Sequence, residues 1–257
     1  MSRFIDSLDR VTKSSARSMG FSLQKTATSK PRMQIIACMA SGFSGDVEGA
    51  DALVLKISKT NGAKKLQKLY KKADVPCGAW YSGEVFNDVK TIEVSGADFI
   101  IFSANNPVRA FGDKSSAIGR VIEVDSSLNI GLLRAIGDLP LNAVFLTGEL
   151  TNEIPVNWNN LMLFKHISSV IDRHLLVAVP ATITPDEIQA LWDAGVNGVI
   201  IEVSSQQPAD DISALRNAMD DITFAPRQKQ LITRLNMPQD AGGDIQEEEQ
   251  EVEEEDE

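Results

Sequence analysis

TPDEIQALWDAGVNGVIIEVSS, from Thr184 to Ser205, reads as a capped helix, a glycine turn and a buried strand. Thr184 is placed to cap the helix, Pro185 suits the first helical position, and Glu187 completes a Thr-x-x-Glu capping box. Ile188, Leu191 and Trp192 share one helical face, and Gly195 suits the left-handed turn that ends it. Val199 to Val203 is then apolar except for Glu202, as expected of a strand buried on both sides of a parallel sheet.

The end of this unit recurs. GADALVLK (Gly49 to Lys56), GADFIIFS (Gly96 to Ser103) and GVNGVIIE (Gly195 to Glu202) share a glycine, a small residue, Asp or Asn, and a strand. LNAVFLT (Leu141 to Thr147) is a fainter copy. Further strands are expected at Gln34 to Ala40, Val75 to Tyr81, Arg120 to Asp125 and Leu175 to Pro180. Eight strands with helix-compatible gaps predict an α/β fold of the (β/α)8 or TIM-barrel type, the copies being strands 2, 4, 6 and 8. A doubly wound open sheet is the competing arrangement, but no Gly-x-Gly-x-x-Gly turn follows any strand.

Alternation along a strand sends residues at equal offsets from the repeated turn to the same side. Val54, Ile101, Phe145 and Ile200 then form an apolar inner layer. Lys56, Ser103, Thr147 and Glu202 lie above it, followed by Ser58, Asn105, Glu149 and Ser204. Polarity rises toward the C-terminal ends of the strands, where barrel enzymes place their sites. Glu123 and Asp125 of strand 5 and Trp80 of strand 3 are expected at the same mouth.

Lys56 is the basic side chain of this ring, and Glu202 is its expected partner, because an isolated buried ammonium is costly. The pair reads either as a filler of the barrel or as catalytic machinery. In the second case Lys56 is an amine nucleophile or proton donor, with Glu202, Glu123, Asp125 and Glu149 as carboxylates that move protons. Ser58, Trp80, Ser103, Asn105, Thr147 and Ser204 would then contact substrate. The same carboxylates also suit Mg²⁺ with its waters, Lys56 acting as base. A histidine-rich metal centre is not expected, since His166 and His174, both in or near the sixth helix, are the only histidines.

The G-A-D turn-and-strand and the helix DEIQALWDAGVNGVIIE resemble the aldolase-type (β/α)8 barrels, over about Gln34 to Asp221. That superfamily includes aldolases, decarboxylases, synthases and flavin oxidoreductases, so the resemblance implies a small-molecule enzyme. Many members hold a phosphate on glycine-rich loops after strands 7 and 8. Here the corresponding stretches, VPATITPDE and EVSSQQPAD, contain no glycine, which disfavours a flavin or other phosphate ligand. The helix after Thr184 still offers N–H groups to an anion. The segment NNPVRAFGDKSSAIG reads as an irregular crossover or as a loop carrying Arg109 and Lys114 over the mouth.

The chain has 257 residues, 43% of them hydrophobic, enough for one sizeable core. We divide it into a helix and linker at 1–32, a barrel at 33–240 and a disordered acidic tail at 241–257. Phe4, Ile5, Leu8 and Val11 give the first segment an apolar face suited to closing the bottom of the barrel. Nine acidic residues in Glu247 to Glu257 carry most of the net charge of −11, which would be −2 without them. Such a run stays disordered and serves solubility or tethers a basic protein partner. Cys38 and Cys77 fall inside strands, as buried thiols of a reducing, cytoplasmic environment do. No apolar run reaches the roughly 20 residues of a membrane span. A nucleic-acid role is disfavoured by the acidic body, the Lys64, Lys65, Lys68, Lys71 and Lys72 face reading as solvated exterior. Gaps too short for full helices point to a homo-oligomer.

Two functions follow. One is an aldolase-type lyase acting on a small carbonyl or carboxylate compound, with Lys56 central. The other is a non-catalytic barrel used for binding or scaffolding, its charged termini engaging a protein partner.

Overall fold

The computed structural model describes residues 2–12, 32–39, 47–57, 62–81, 92, 95–108, 117–148, 150, 155–203 and 210–224. Helix α1 spans Arg3–Thr12. Eight strands follow: β1 (Gln34–Met39), β2 (Ala52–Ile57), β3 (Cys77–Tyr81), β4 (Phe99–Ser103), β5 (Gly119–Asp125), β6 (Ala143–Thr147), β7 (His174–Val179) and β8 (Gly198–Val203). Each pairs in parallel with its sequence neighbours, and β8 returns to β1, closing the barrel. Outside it lie α2 (Gly62–Tyr70), α3 (Ile130–Ile136), α4 (Trp158–Val170), α5 (Pro185–Ala194) and α6 (Asp210–Asp220). All eight expected strands are present. The N-terminal helix is present too, whereas the linker after it and the acidic tail lie outside the described residues.

The recurring turn has a mechanical reason. Gly49, Gly96 and Gly195 adopt φ of 90°, 93° and 108°, a left-handed conformation that a Cβ would strain. Two residues later, the Asp or Asn locks its strand to the preceding one. Asp51 N–H donates to the Ile35 carbonyl while its carboxylate accepts from Ile35 N–H. Asn142 does the same with Arg120, and Asn197 with Leu175. A short side chain with an acceptor oxygen is needed there, which is why only Asp and Asn occupy the position. Asp98 keeps the backbone half of the lock, to the Cys77 carbonyl, but its carboxylate turns elsewhere.

It turns to α1. Asp98 accepts from the Ser2 hydroxyl at 2.7 Å, from Arg3 N–H at 2.8 Å and from Phe4 N–H at 2.9 Å, placing a negative charge on the helix N-terminus. The other end is tied by Ser7 donating to Gln34 at 3.0 Å and by His174 Nε2 against Asp9 at 2.8 Å. These partners all belong to the N-terminal ends of strands. Phe4, Ile5 and Leu8 therefore enter the barrel from below, the Phe4 and Phe99 rings meeting at 4.4 Å. Burying a side chain such as Phe4 stabilises by about 1.5–3 kcal/mol.

Two apolar shells result. Inside the ring are Ile36, Cys38, Ala52, Val54, Phe99, Ile101, Val121, Ala143, Phe145, Leu176 and Ile200, with Trp80 and Ala178 above them. Between ring and helices lie the residues of opposite parity, Leu55, Phe102, Leu146 and Ile201 among them. Gly78 is required inside because a Cβ there would stand 2.5 Å from the Phe99 ring. The far end of the chain is fixed to the near end by Arg216 of α6. Its Nε donates to the Gly49 carbonyl at 3.0 Å, and it pairs with Asp51, which also holds Arg32.

Candidate functional site at the C-terminal mouth

Register and parity assign the inner face layer by layer. Val54, Ile101, Phe145 and Ile200 are closed to solvent, at 0–3% exposure, and make a floor. Above it the odd strands contribute Cys38, Trp80, Glu123 and Ala178. Over these come Lys56, Ser103, Thr147 and Glu202 from the even strands. Ser103 and Thr147 are half-buried, and Lys56 and Glu202 are exposed. The apolar and polar layers expected from the four copies are thus in place.

Trp80 organises one half of the mouth. Its Nε1 donates to Glu123 Oε2 at 2.9 Å, Lys56 Nζ lies over its ring at 4.5 Å, and its ring meets the edge of Phe145 at 5.1 Å. The register sets Lys56 beside Trp80 across the β2–β3 pair, which brings ammonium and indole together. The expected Lys56–Glu202 ion pair does not form. Lys56 sits at the open rim with water at hand, so nothing compels a carboxylate partner, and the indole face takes that place.

Other expected residues part from the group. Asn105 lies in the turn after β4, exposed, because the strand ends at Ser103 and alternation ends with it. Asn106 is the one that reaches back, accepting from Ser103 N–H at 3.0 Å. Sequence parity pointed past it, and its Asn-Asn-Pro context was the available signal for a turn. Asp125 is exposed at the end of β5 and accepts from Ser127 N–H at 2.8 Å, which holds its carboxyl below the ordinary value. Ser58, Glu149 and Ser204, with Arg109 and Lys114, lie outside the described residues.

Burial pushes the Cys38 thiol up to about 12, with Glu202 raising it further and Lys56 lowering it. Burial likewise takes Cys77 to about 11, Asp98 adding to the rise and Arg3 opposing it. Both stay protonated near neutrality and are poor nucleophiles.

Among the described residues no group of three or more His, Cys, Asp or Glu side chains is placed to hold a metal ion. Of the candidate carboxylates, Glu123 accepts from Trp80 and Asp125 from its own turn. The anion position at the start of α5 is taken by the protein itself. Glu187 accepts from Thr184 N–H and hydroxyl, both at 2.8 Å, and from Val156 N–H at 3.3 Å, while Thr184 caps Glu187 N–H.

A closed eight-stranded parallel ring with helices outside and a polar mouth at the strand C-termini defines a TIM-barrel protein. The chain resembles solved structures of the tryptophan synthase alpha-subunit from the hyperthermophile Pyrococcus furiosus. One mutant alpha-subunit is 13% identical with a TM-score of 0.55, covering 75% of this chain and 98% of that one. The tryptophan synthase complex from the same organism gives 15% identity and a TM-score of 0.53, covering 74% and 97%. At such identities the likeness is one of fold. No protein-family model matches the chain, and no curated protein matches it. No helix among the described residues is long and apolar enough to cross a membrane.

Proposed function

We propose that the protein is a lyase acting on a small carbonyl or carboxylate compound at the C-terminal mouth, with Lys56 central. The observation that carries this is the Trp80 side chain, which holds Lys56 against its face and Glu123 at its edge. A cation and a carboxylate are thereby fixed at one rim of an apolar floor. The likeness to a synthase subunit supports an enzyme by analogy of fold.

In the reaction, the Lys56 ammonium first gives a proton to a mouth carboxylate, and the free amine attacks a substrate carbonyl carbon; water leaves, giving a Schiff base that draws electrons from the adjacent bond. Glu123 and Glu202 carry the protons released and taken up, and the Ser103 and Thr147 hydroxyls orient substrate oxygens. Borohydride added with a panel of aldehydes and ketones reduces the C=N bond and is expected to add mass at Lys56. Absence of an adduct, together with unchanged turnover in Lys56→Ala, would refute the mechanism.

A non-catalytic barrel that associates with a second copy of itself is the other reading. It is favoured by Trp158 and Met162, one turn apart on the outward side of α4 and 80% and 61% exposed. Sedimentation of the Trp158→Ser/Met162→Ser variant decides it: association that the changes leave intact speaks against this surface.

A further inference from the structure

The wall of the mouth on the other side of Lys56 from the Trp80 ring is built differently. Around β7, β8, β1 and β2, the inner wall presents Ala178, Ile200 with Glu202 above it, Cys38, and Lys56. Small side chains stand here, whereas Trp80 and Phe145 fill the opposite side. Ala178 is partly exposed although its neighbours Val177 and Val179 are 0% and 6% exposed. Solvent therefore reaches Ala178, while Cys38 of the same layer, 1% exposed, and Ile200, 3% exposed, are closed.

Two opposite charges stand over this recess on either side of β1. Cys38 pairs in register with Val54 of β2, two residues before Lys56, and with Glu202 of β8. The register thus sets Lys56 and Glu202 at the rim on opposite sides of β1. Neither is neutralised by the other. Lys56 rests on an indole, and Glu202 forms no ion pair among the described residues.

A simple anion drawn to Lys56 would meet Glu202, and a simple cation drawn to Glu202 would meet Lys56. A molecule carrying both charges a few bonds apart satisfies each, and its charge-assisted hydrogen bonds are the strong kind. We propose that this recess binds the zwitterion of a small α-amino acid, with its ammonium on Glu202, its carboxylate on Lys56 and a short apolar side chain over Ala178. This rests on the mouth being a binding site; an α-amino acid has no aldehyde or ketone for Lys56 to attack, so it is held here as a ligand and not as the Schiff-base substrate.

Saturation-transfer NMR and calorimetry on the full chain with the common α-amino acids test this, with propionate and ethylamine as one-charge analogues of alanine. At least one small amino acid is expected to bind, and each one-charge analogue about tenfold or more weakly. Glu202→Gln is expected to weaken the amino acid by a similar factor and to tighten propionate, whose repelling carboxylate is gone. Lys56→Met should likewise weaken the amino acid while tightening ethylamine. The proposal is overturned if no amino acid binds, if either analogue binds as tightly as alanine, or if the two variants weaken all three ligands equally. Borohydride trapping reads separately: amino-acid binding without an adduct sinks the lyase mechanism alone, and an adduct without amino-acid binding sinks this assignment alone.

Discussion

Trp80 uses two parts of one ring system, the indole N–H toward Glu123 and the π face toward Lys56. Phenylalanine retains the face and loses the donor. Trp80→Phe is therefore expected to cost about 1–2 kcal/mol in urea unfolding, mainly from the bond to a charged acceptor. Lys56→Ala at the exposed rim should change stability by less than about 1 kcal/mol. The inward direction of Lys56, Ser103, Thr147 and Glu202 was legible in the sequence, because four copies fix one parity. The partner of Lys56 was not. Trp80 lies on an odd strand with no copy to align, and register between strands belongs to the closed ring. Asn105 was misplaced for a related reason, since parity carries no meaning beyond the last strand residue.

At the scale of elements, α1 and α5 show what local pattern can and cannot reveal. The apolar face Phe4, Ile5, Leu8 and Val11 announced a buried helix, and all four are buried. Its anchor, Asp98, is 94 residues away from Phe4 and resembles its sister residues in sequence, so its different task was invisible. Phe4→Ala is expected to cost about 3–5 kcal/mol by chemical denaturation, since the cavity would open against Phe99 and Ile36 in a packed interior. The α5 cap was read correctly in every part, Thr184, Pro185, Glu187 and Gly195, because capping is local chemistry. Burial alone would raise the Glu187 carboxyl, but hydrogen bonds from Thr184 and Val156 outweigh it and lower it below its ordinary 4.5. A depressed carboxyl stabilises fully above its unfolded value and loses that contribution as pH falls through its folded one. The stability difference between wild type and Glu187→Gln, followed by urea titration, should thus shrink once pH drops below about 4.5.

At the scale of the molecule, closure depends on joining the two ends of the sheet. Hydrogen bonds between β1 and β8 do so inside, and Arg216 reaches from α6 to Gly49 and Asp51 outside. Burial lowers the Arg216 pKa while Asp51 raises it, so each charge depends on the other. Removing the cation leaves Asp51 half-compensated by the exposed Arg32. Arg216→Ala should accordingly destabilise by about 3–5 kcal/mol, read as a lower thermal midpoint in calorimetry. The eight-fold count foretold a ring, yet this tie joins residues 165 positions apart, and spacing holds no trace of it.

The diversion of Asp98 leaves an uneven collar around the base of the barrel. Three neighbouring pairs, β1–β2, β5–β6 and β7–β8, carry a side-chain clasp in addition to their backbone ladder, and β3–β4 does without. What the fourth pair gives up, the first helix receives, so the unclasped copy is the one guarded from beneath. If that helix were to lift away, Asp98 would be released to clasp Cys77, and the barrel would exchange its stopper for a fourth fastening.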